Sequence, residues 1–389
     1  MPPKERYRPS FYLVILANLF FFTGFQWTFV TLPGYVQAIG GDAAAIGLTF
    51  GLFSLSAVLA RPGVGWLVDR WGRKPVMILG ASIFGVAPIL YVYTPQMGPF
   101  LAVRVIHGVG IAAFTTAYTA LVADLALGGR QGEAIGISGI TNNLGMLFAP
   151  ALGLTVVHTW GYGVHFWLAA AITAACLLLM LFVREPAQTE SGQEDAPRSL
   201  DVIRLRPVWV AAFGITGLAV AYGAVLGFLS PVAAERSLAT AGGFYSAFAA
   251  AMMVAQASAG ALSDRIGRRA VAVPGMILVA LAMAGLAMAR SDGALVAAGA
   301  LFGLSWGLTR AGLDTSVVES VLPQTRGIAL GLLYTCFDIG VGAGSYGLGV
   351  LAVGREYGAV FWGAMVWAVL ALVGYAAWGR RQEPILSGE

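Results

Sequence analysis

Long apolar runs separated by short polar connections organise this chain from end to end. Twelve runs stand out. Six lie at roughly 11–32, 45–68, 76–94, 98–122, 134–157 and 162–183, and six at 207–231, 239–262, 271–289, 294–318, 328–353 and 358–379. A helix needs about 20 apolar residues to cross a hydrocarbon core of about 30 Å, whereas barrel strands need only about 9–11 with alternating polarity. The pattern therefore predicts an all-α integral membrane protein with twelve transmembrane helices. One stretch breaks the rhythm. Residues 184–206 read REPAQTESGQEDAPRSLDVIRLR, acidic first and basic later. This predicts an exposed linker between residues 1–183 and residues 207–389. Its last third, Ser199 to Arg206, alternates apolar and basic residues, which suits a short helix on the membrane surface.

The two halves repeat each other. Gly65 to Lys74 reads GWLVDRWGRK, and Gly260 to Arg269 reads GALSDRIGRR, an offset of 195 residues. Without a gap, Gly108 then pairs with Gly303, Ala134 with Ala329, Gly136 with Gly331, Gly145 with Gly340, and Phe166-Trp167 with Phe361-Trp362. A period of half the chain marks a duplicated unit, so two pseudo-symmetric six-helix bundles are expected, 1–183 and 207–389. Parallel halves of this kind recur among transporters. The 52 glycines, many at helical spacing as in Gly136-Gly139 and Gly340-Gly342-Gly344, let membrane helices approach closely.

Composition agrees with lipid as the main solvent. The chain is 58% hydrophobic and 11% charged, with mean hydropathy +0.79. A soluble domain carries about 25% charged residues. A net charge of +4 raises the question of nucleic acid, and the placement of the charges answers against it. Most Lys and Arg fall at the termini or the even-numbered connections, such as Lys4, Arg6, Arg8, Arg380 and Arg381, while Arg236, Arg290 and Arg355 fall opposite. That bias predicts an inner-membrane, multi-pass protein with both termini cytoplasmic. The first apolar run is too long for a signal-peptide core and is expected to be retained. Cys176 and Cys336 lie far apart within spans and predict neither a disulfide nor a metal site. The histidines, His107, His158 and His165, do not form a metal or catalytic set by spacing, and the last two fall in or near an outer connection. No phosphate-binding loop occurs. Neither an intramembrane enzyme nor an ATP-driven pump is supported.

Ionisable groups inside a membrane are expensive and usually functional. Those within spans are Arg61, Arg104, Arg310, Asp314 and Asp338, with His107 near Arg104. Arg310 and Asp314, i and i+4, share a helix face and can pair. They form either a self-neutralising pair or a charged site. Trp306 lies one turn away on the same face, and Ile111, Thr115 and Thr119 are the neutral counterparts across the repeat. In span 1, Phe22, Gln26 and Phe29 share a face, and Trp27 matches Tyr222. His107 is either a proton carrier, since imidazole titrates near neutral pH, or a packing residue. In the repeated loop, Gly72 and Gly267 answer a need for unusual backbone angles. Asp69 and Asp264 sit at helix C-termini, where negative charge is disfavoured, so they should seek the loop arginines Arg70, Arg73, Arg265 and Arg268 or a neighbouring helix end.

The duplicated G-x-L-x-D-R-x-G-R-[KR] loop resembles the signature of the major facilitator superfamily. Arg104, Gly108, Gly110 and Ala112 resemble the R-x-x-x-G-x-G-x-A motif of its proton-coupled members. Gly145, Pro150 and Gly153 resemble the G-x-x-x-G-P-x-x-G-G motif of its exporters, with Ala149 and Leu154 replacing two glycines. The whole chain is similar to the twelve-span drug:proton antiporter branch. The resemblance implies a monomeric rocker-switch transporter whose central cavity is lined by spans 1, 4, 7 and 10. It implies a small amphipathic organic substrate exported in exchange for protons. Phe22, Gln26, Phe29, Thr115, Thr119, Tyr222, Trp306, Arg310 and Asp314 are then candidates for substrate contact. Arg104, His107, Asp314 and Asp338 are candidates for proton coupling, and Asp69 and Asp264 for latching the cytoplasmic gate. Span 1 lacks the carboxylate that many coupled relatives carry, offering Asn18, Thr23, Gln26 and Thr28. An uncoupled transporter, or one moving a nutrient, sugar or lipid, is the alternative.

In this superfamily span 2 is expected to pack on span 11, and span 5 on span 8. Arg61 lies eight residues before Asp69, about 12 Å along a helix, and Asp338 lies about 15 Å into span 11. The two charges should meet as part of the gate. The repeat maps Arg61 to Gln256 and Asp338 to Asn143, which should form a neutral duplicate contact. Removing one member of a buried ion pair costs about 3–5 kcal/mol. Arg61→Ala and Asp338→Ala should each lower the yield of folded protein or its transport. The charge-swapped double variant should recover part of both. No recovery in the swap would rule the pairing out.

Overall fold

The computed structural model describes residues 7–126, 131–185, 205–238, 241–321 and 325–379. Among them every regular element is a helix, as expected where no water is available to satisfy backbone N–H and C=O groups. The helices are α1 (Pro9–Ala38), α2 (Ala43–Trp71), α3 (Arg73–Tyr93) and α4 (Met97–Leu125). The run Gln131–Phe182 follows, broken by Gly161 at φ 80° and ψ 175° into α5 (131–160) and α6 (162–182). Then come α7 (Arg206–Glu235), α8 (Ala241–Ile266), α9 (Arg268–Met288), α10 (Asp292–Glu319), α11 (Arg326–Ala352) and α12 (Gly358–Gly379). The twelve expected spans correspond to these twelve helices. Among the described residues ten helical stretches are long and apolar enough to cross a membrane, the α5–α6 run counting as one. α8, built largely of Ala, Gly and Ser around Gln256, is not among them. Most of the linker, including residues 199–204 of the expected surface helix, lies outside the described residues, as do Arg380 and Arg381, and Arg206 begins α7.

Contacts group the chain into two units. Unit 1 takes residues up to 42 and 52–189, and unit 2 takes 43–51 and 190–389. In unit 1, α1 packs on the α5–α6 run and α3 on α4. In unit 2, α7 packs on α11 and α12, and α10 on α8 and α9. The 195-residue repeat holds at the level of single atoms. A Cβ on Gly108 would run into the Phe53 carbonyl, and one on Gly303 into the Phe248 carbonyl. A Cβ on Gly80 would meet the Phe114 amide, and one on Gly275 would lie 2.6 Å from the Thr309 amide. In each pair the two residues struck are also 195 apart. Small residues are used where two helix backbones come closest.

The loops explain their glycines and charges. Gly72 and Gly267 have φ of 91° and 94°, a conformation that a side chain disfavours and that turns α2 into α3 and α8 into α9. The next helix begins at once, and its first amides need acceptors. At α3 the Glu185 carboxylate accepts from the amides of Arg73 (2.6 Å) and Lys74 (3.2 Å). In return Lys74 Nζ donates to the Leu181 and Val183 carbonyls at 3.2 and 2.7 Å. Arg269 does the same for the end of α12, donating to the Ala376 carbonyl at 2.5 Å. After α7, Arg236 closes the C-terminus of α9 through the carbonyls of Leu286, Ala287 and Ala289 at 2.7–3.0 Å. A cation there also meets the negative end of the helix dipole.

The tight glycine contacts predict a selective sensitivity. Gly303→Val pushes side-chain carbon against the α8 backbone, where Met252 N is 2.9 Å from a Cβ. Overpacking of this kind costs about 1–3 kcal/mol. The variant should unfold at a lower temperature than the wild type in detergent. Gly163→Val, with nothing within 4 Å of its Cβ, should match the wild type. Equal unfolding temperatures for all three proteins would refute the close-approach role.

Candidate transport site

On α10, Trp306, Arg310 and Asp314 follow at one-turn intervals and so present one face. Arg310 Nε lies 3.3 Å from Asp314 Oδ2, with the two side chains 21% and 27% exposed. α11 completes the group. The Tyr334 hydroxyl donates to the same carboxylate oxygen at 3.4 Å, and the Tyr334 ring lies under the Arg310 guanidinium at 4.5 Å. Asp338 lies one turn further along α11 than Tyr334. Around Trp306 stand Tyr222 of α7, Phe337 of α11 and Phe248 of α8, at ring-centroid distances of 4.9, 5.5 and 5.7 Å. Asp314 Oδ1 is buried and makes no hydrogen bond to a described residue. Unit 2 thus holds a partly exposed ion pair beside a wall of rings. Such a surface suits a molecule with a flat apolar body and a polar head.

The sequence pointed to Trp306, Arg310, Asp314 and Tyr222, and the structure brings these together. It did not single out Tyr334, Phe337 or Phe248. The signal was present, since Tyr334 lies one turn from Asp338. A ring on an apolar helix has many possible neighbours, however, and spacing within α11 does not say which face meets α10.

Unit 1 places a different chemistry. Arg104 of α4 is fully buried. Its Nη1 lies 3.3 Å from the Tyr91 hydroxyl and 3.2 Å from His107 Nδ1. Phe53 and Phe29 cover the guanidinium at 4.4 and 4.7 Å. Gln26 and Phe29 are 5% and 2% exposed, and the Phe29 ring packs on Phe53 at 4.7 Å. Phe22 packs beside Phe21 and Phe25. Thr115 and Thr119 bond back to their own helix, at the carbonyls of Ile111 and Thr115. Asn18 donates to the Thr141 hydroxyl at 2.9 Å. His165 stands one turn past Gly161, near the α5–α6 connection, as the sequence placed it. The turn consumes only Gly161, and His165 is fully buried. There its Nε2 lies 2.9 Å from Thr31 Oγ1, and its carbonyl accepts from Trp27 Nε1 at 3.2 Å.

The loop residues also form a duplicate. Arg73 Nε pairs with Asp124 at 2.9 Å, and Arg268 Nη2 with Glu319 at 2.5 Å. Asp124 and Glu319 are themselves 195 residues apart, at the ends of α4 and α10. Arg268 Nη1 also pairs with Asp264, as expected of that carboxylate. Asp69, Arg70 and Arg265 are exposed, and the Arg70 guanidinium lies over Trp66 at 5.2 Å. Arg61 and Asn143 belong to unit 1, and Gln256 and Asp338 to unit 2. Among the described residues no group of three or more His, Cys, Asp or Glu is placed to hold a metal ion.

Comparison with known proteins agrees with this architecture. The sequence profile of the Major Facilitator Superfamily matches residues 14–254 and 212–388. An uncharacterized MFS-type transporter of Methanocaldococcus jannaschii is 25% identical, over 82% of this chain and 84% of that protein. Multidrug resistance protein MdtG of Rahnella sp. is 26% identical, over 94% and 92%. Multidrug resistance protein 2 of Bacillus subtilis is 25% identical, but the match spans only 52% of this chain and 53% of that protein. Among solved structures, a bacterial homolog of the human lysosomal transporter Spinster superposes with a TM-score of 0.80 at 16% identity, covering 96% and 98% of the two chains. The nucleoside transporter NupG superposes at 0.77 with 14% identity, covering 96% and 100%.

The ion pair on α10 predicts a non-additive mutant cycle. A partly buried pair stands between the roughly 0.2–1 kcal/mol of an exposed one and the roughly 3–5 kcal/mol lost when a buried one is broken. Arg310→Ala strands the Asp314 carboxylate and should cost about 2 kcal/mol. The double variant Arg310→Ala/Asp314→Ala should be more stable than Arg310→Ala alone. Simple addition of the two single effects in thermal unfolding would show that the pair does not act as a unit.

Proposed function

Because this chain belongs to the Major Facilitator Superfamily, we propose that it is a secondary transporter that exports a small amphipathic organic compound in exchange for protons. The observation that carries the reading is the Arg310–Asp314–Tyr334 group beside the rings of Trp306, Tyr222 and Phe337. The rings suit an apolar body, and the pair offers both a donor and an acceptor to a polar head. Asp314 is the proposed proton carrier. Its protonation would release Arg310 and change what the site can bind. Multidrug relatives in two bacteria support the choice of an amphipathic substrate.

In the same reading, Arg104, His107 and Asp338 assist coupling, and the loop groups Asp69, Asp264, Arg73 and Arg268 hold the cytoplasmic gate. The protein sits in the inner membrane as a monomer, with both termini in the cytoplasm. The rival reading, transport without protons, is favoured by the absence of any Asp or Glu from α1.

A substrate can be found by thermal-shift screening of purified protein, since a ligand of the folded state raises its apparent stability. With that compound, wild-type proteoliposomes should transport faster under an imposed pH gradient. Asp314→Asn should lose this acceleration while retaining exchange of labelled against unlabelled substrate. A wild type indifferent to the gradient would favour the uncoupled reading. A mutant with the full response would leave Asp314 a structural role only.

A further inference from the structure

The cluster in unit 1 contains a residue that neither motif nor repeat picks out. Tyr91, near the end of α3, is fully buried. Its hydroxyl oxygen lies 2.6 Å from His107 Nδ1 and 3.3 Å from Arg104 Nη1. The phenol is itself held in place. The Tyr35 hydroxyl donates to the Tyr91 carbonyl at 2.6 Å, and the ring packs against Phe100 and Phe166 at 4.9 and 5.4 Å.

Counting protons in this cluster leaves one consistent arrangement. A guanidinium only donates, so Arg104 Nη1 supplies hydrogen to the atoms it approaches. Those atoms are the Tyr91 oxygen and His107 Nδ1, at 3.2 Å from the latter. Nδ1 must therefore carry its lone pair. The Tyr91 hydroxyl accepts from Arg104 and gives its own hydrogen to Nδ1. The imidazole is then neutral, with its one hydrogen on Nε2. That nitrogen is buried without a hydrogen-bond partner among the described residues. The imidazole's neighbours are Phe29 from α1, Phe53 from α2, Phe84 and Tyr91 from α3, and Arg104 within α4. Of these only Tyr91 and Arg104 are titratable or charged. The opposite tautomer, with hydrogen on Nδ1, would set two N–H donors against each other and leave the Tyr91 hydrogen without an acceptor.

We propose that Tyr91 is a positioning residue that holds His107 in the neutral Nε2–H form, so that a proton reaches Nδ1 only after the phenol and the guanidinium have turned away. The incoming proton takes the lone pair that Tyr91 and Arg104 now occupy. The displaced hydroxyl hydrogen must then find another acceptor. Proton uptake at His107 is thereby tied to a rearrangement of side chains on α3 and α4. This deepens the coupling role given to His107 above and rests on that reading only for its consequence in transport. The geometry and the test stand apart from it.

The test is nitrogen NMR of the full chain, labelled at histidine and reconstituted in lipid. The His107 signals are assigned by their loss in His107→Gln. The wild type should show Nδ1 unprotonated and hydrogen-bonded, and Nε2 protonated. The spectra are taken at about pH 8, above the ordinary histidine range near 6.5. Tyr91→Phe removes the hydroxyl donor and should move the Nδ1 resonance. A protonated Nδ1 in the wild type would overturn the proposal. So would a Tyr91→Phe spectrum identical to the wild type. If Tyr91→Phe does not fold, the wild-type tautomer alone decides the question. A transport assay insensitive to pH gradients would defeat the function proposed above without touching this result.

Discussion

In hydrocarbon, a backbone amide or carbonyl without a partner costs several kcal/mol, and no water is present to supply one. The rest of this structure depends on that constraint. It makes each apolar run a helix, because a helix satisfies its own backbone. It also removes the force that packs helices in water, since lipid is as apolar as a leucine surface. Association must then come from close fit. Gly80, Gly108, Gly275 and Gly303 supply that fit by letting one backbone touch another. The same constraint governs helix ends, where orphan amides and carbonyls are met by Glu185, Lys74, Arg236 and Arg269.

The duplication is close in packing and incomplete in chemistry. Loop arginines and their acids repeat at the 195-residue offset, as do the glycine contacts. The charged centres do not. Unit 1 buries Arg104 among Tyr91, His107 and two phenylalanines, and the equivalent of Arg104 in unit 2 is Gly299. Unit 2 places Arg310 and Asp314 where unit 1 has Thr115 and Thr119. Packing constraints act on every copy of a fold and preserve its small residues. The charged side chains are not part of that packing requirement, so the second copy of each position is free to differ.

Much of this was legible in the chain alone. Run length and the absence of alternation determined the helices, because the bilayer sets the length of a span. The repeated loop determined the duplication and the positions of the sharp turns, because only glycine takes a φ near 90° easily. Helical spacing determined that Trp306, Arg310 and Asp314 share a face. What lies across from that face was decided by tertiary structure. Tyr334 and Phe337 reach the ion pair because α11 packs beside α10, and Tyr91 reaches His107 because α3 packs on α4. His165 reaches Thr31 and Trp27 because α6 packs on α1. The physical reason is common to all three. Periodicity specifies direction around one helix axis, whereas a partner across a contact depends on the rotation and depth of a second helix, which small residues allow but do not encode.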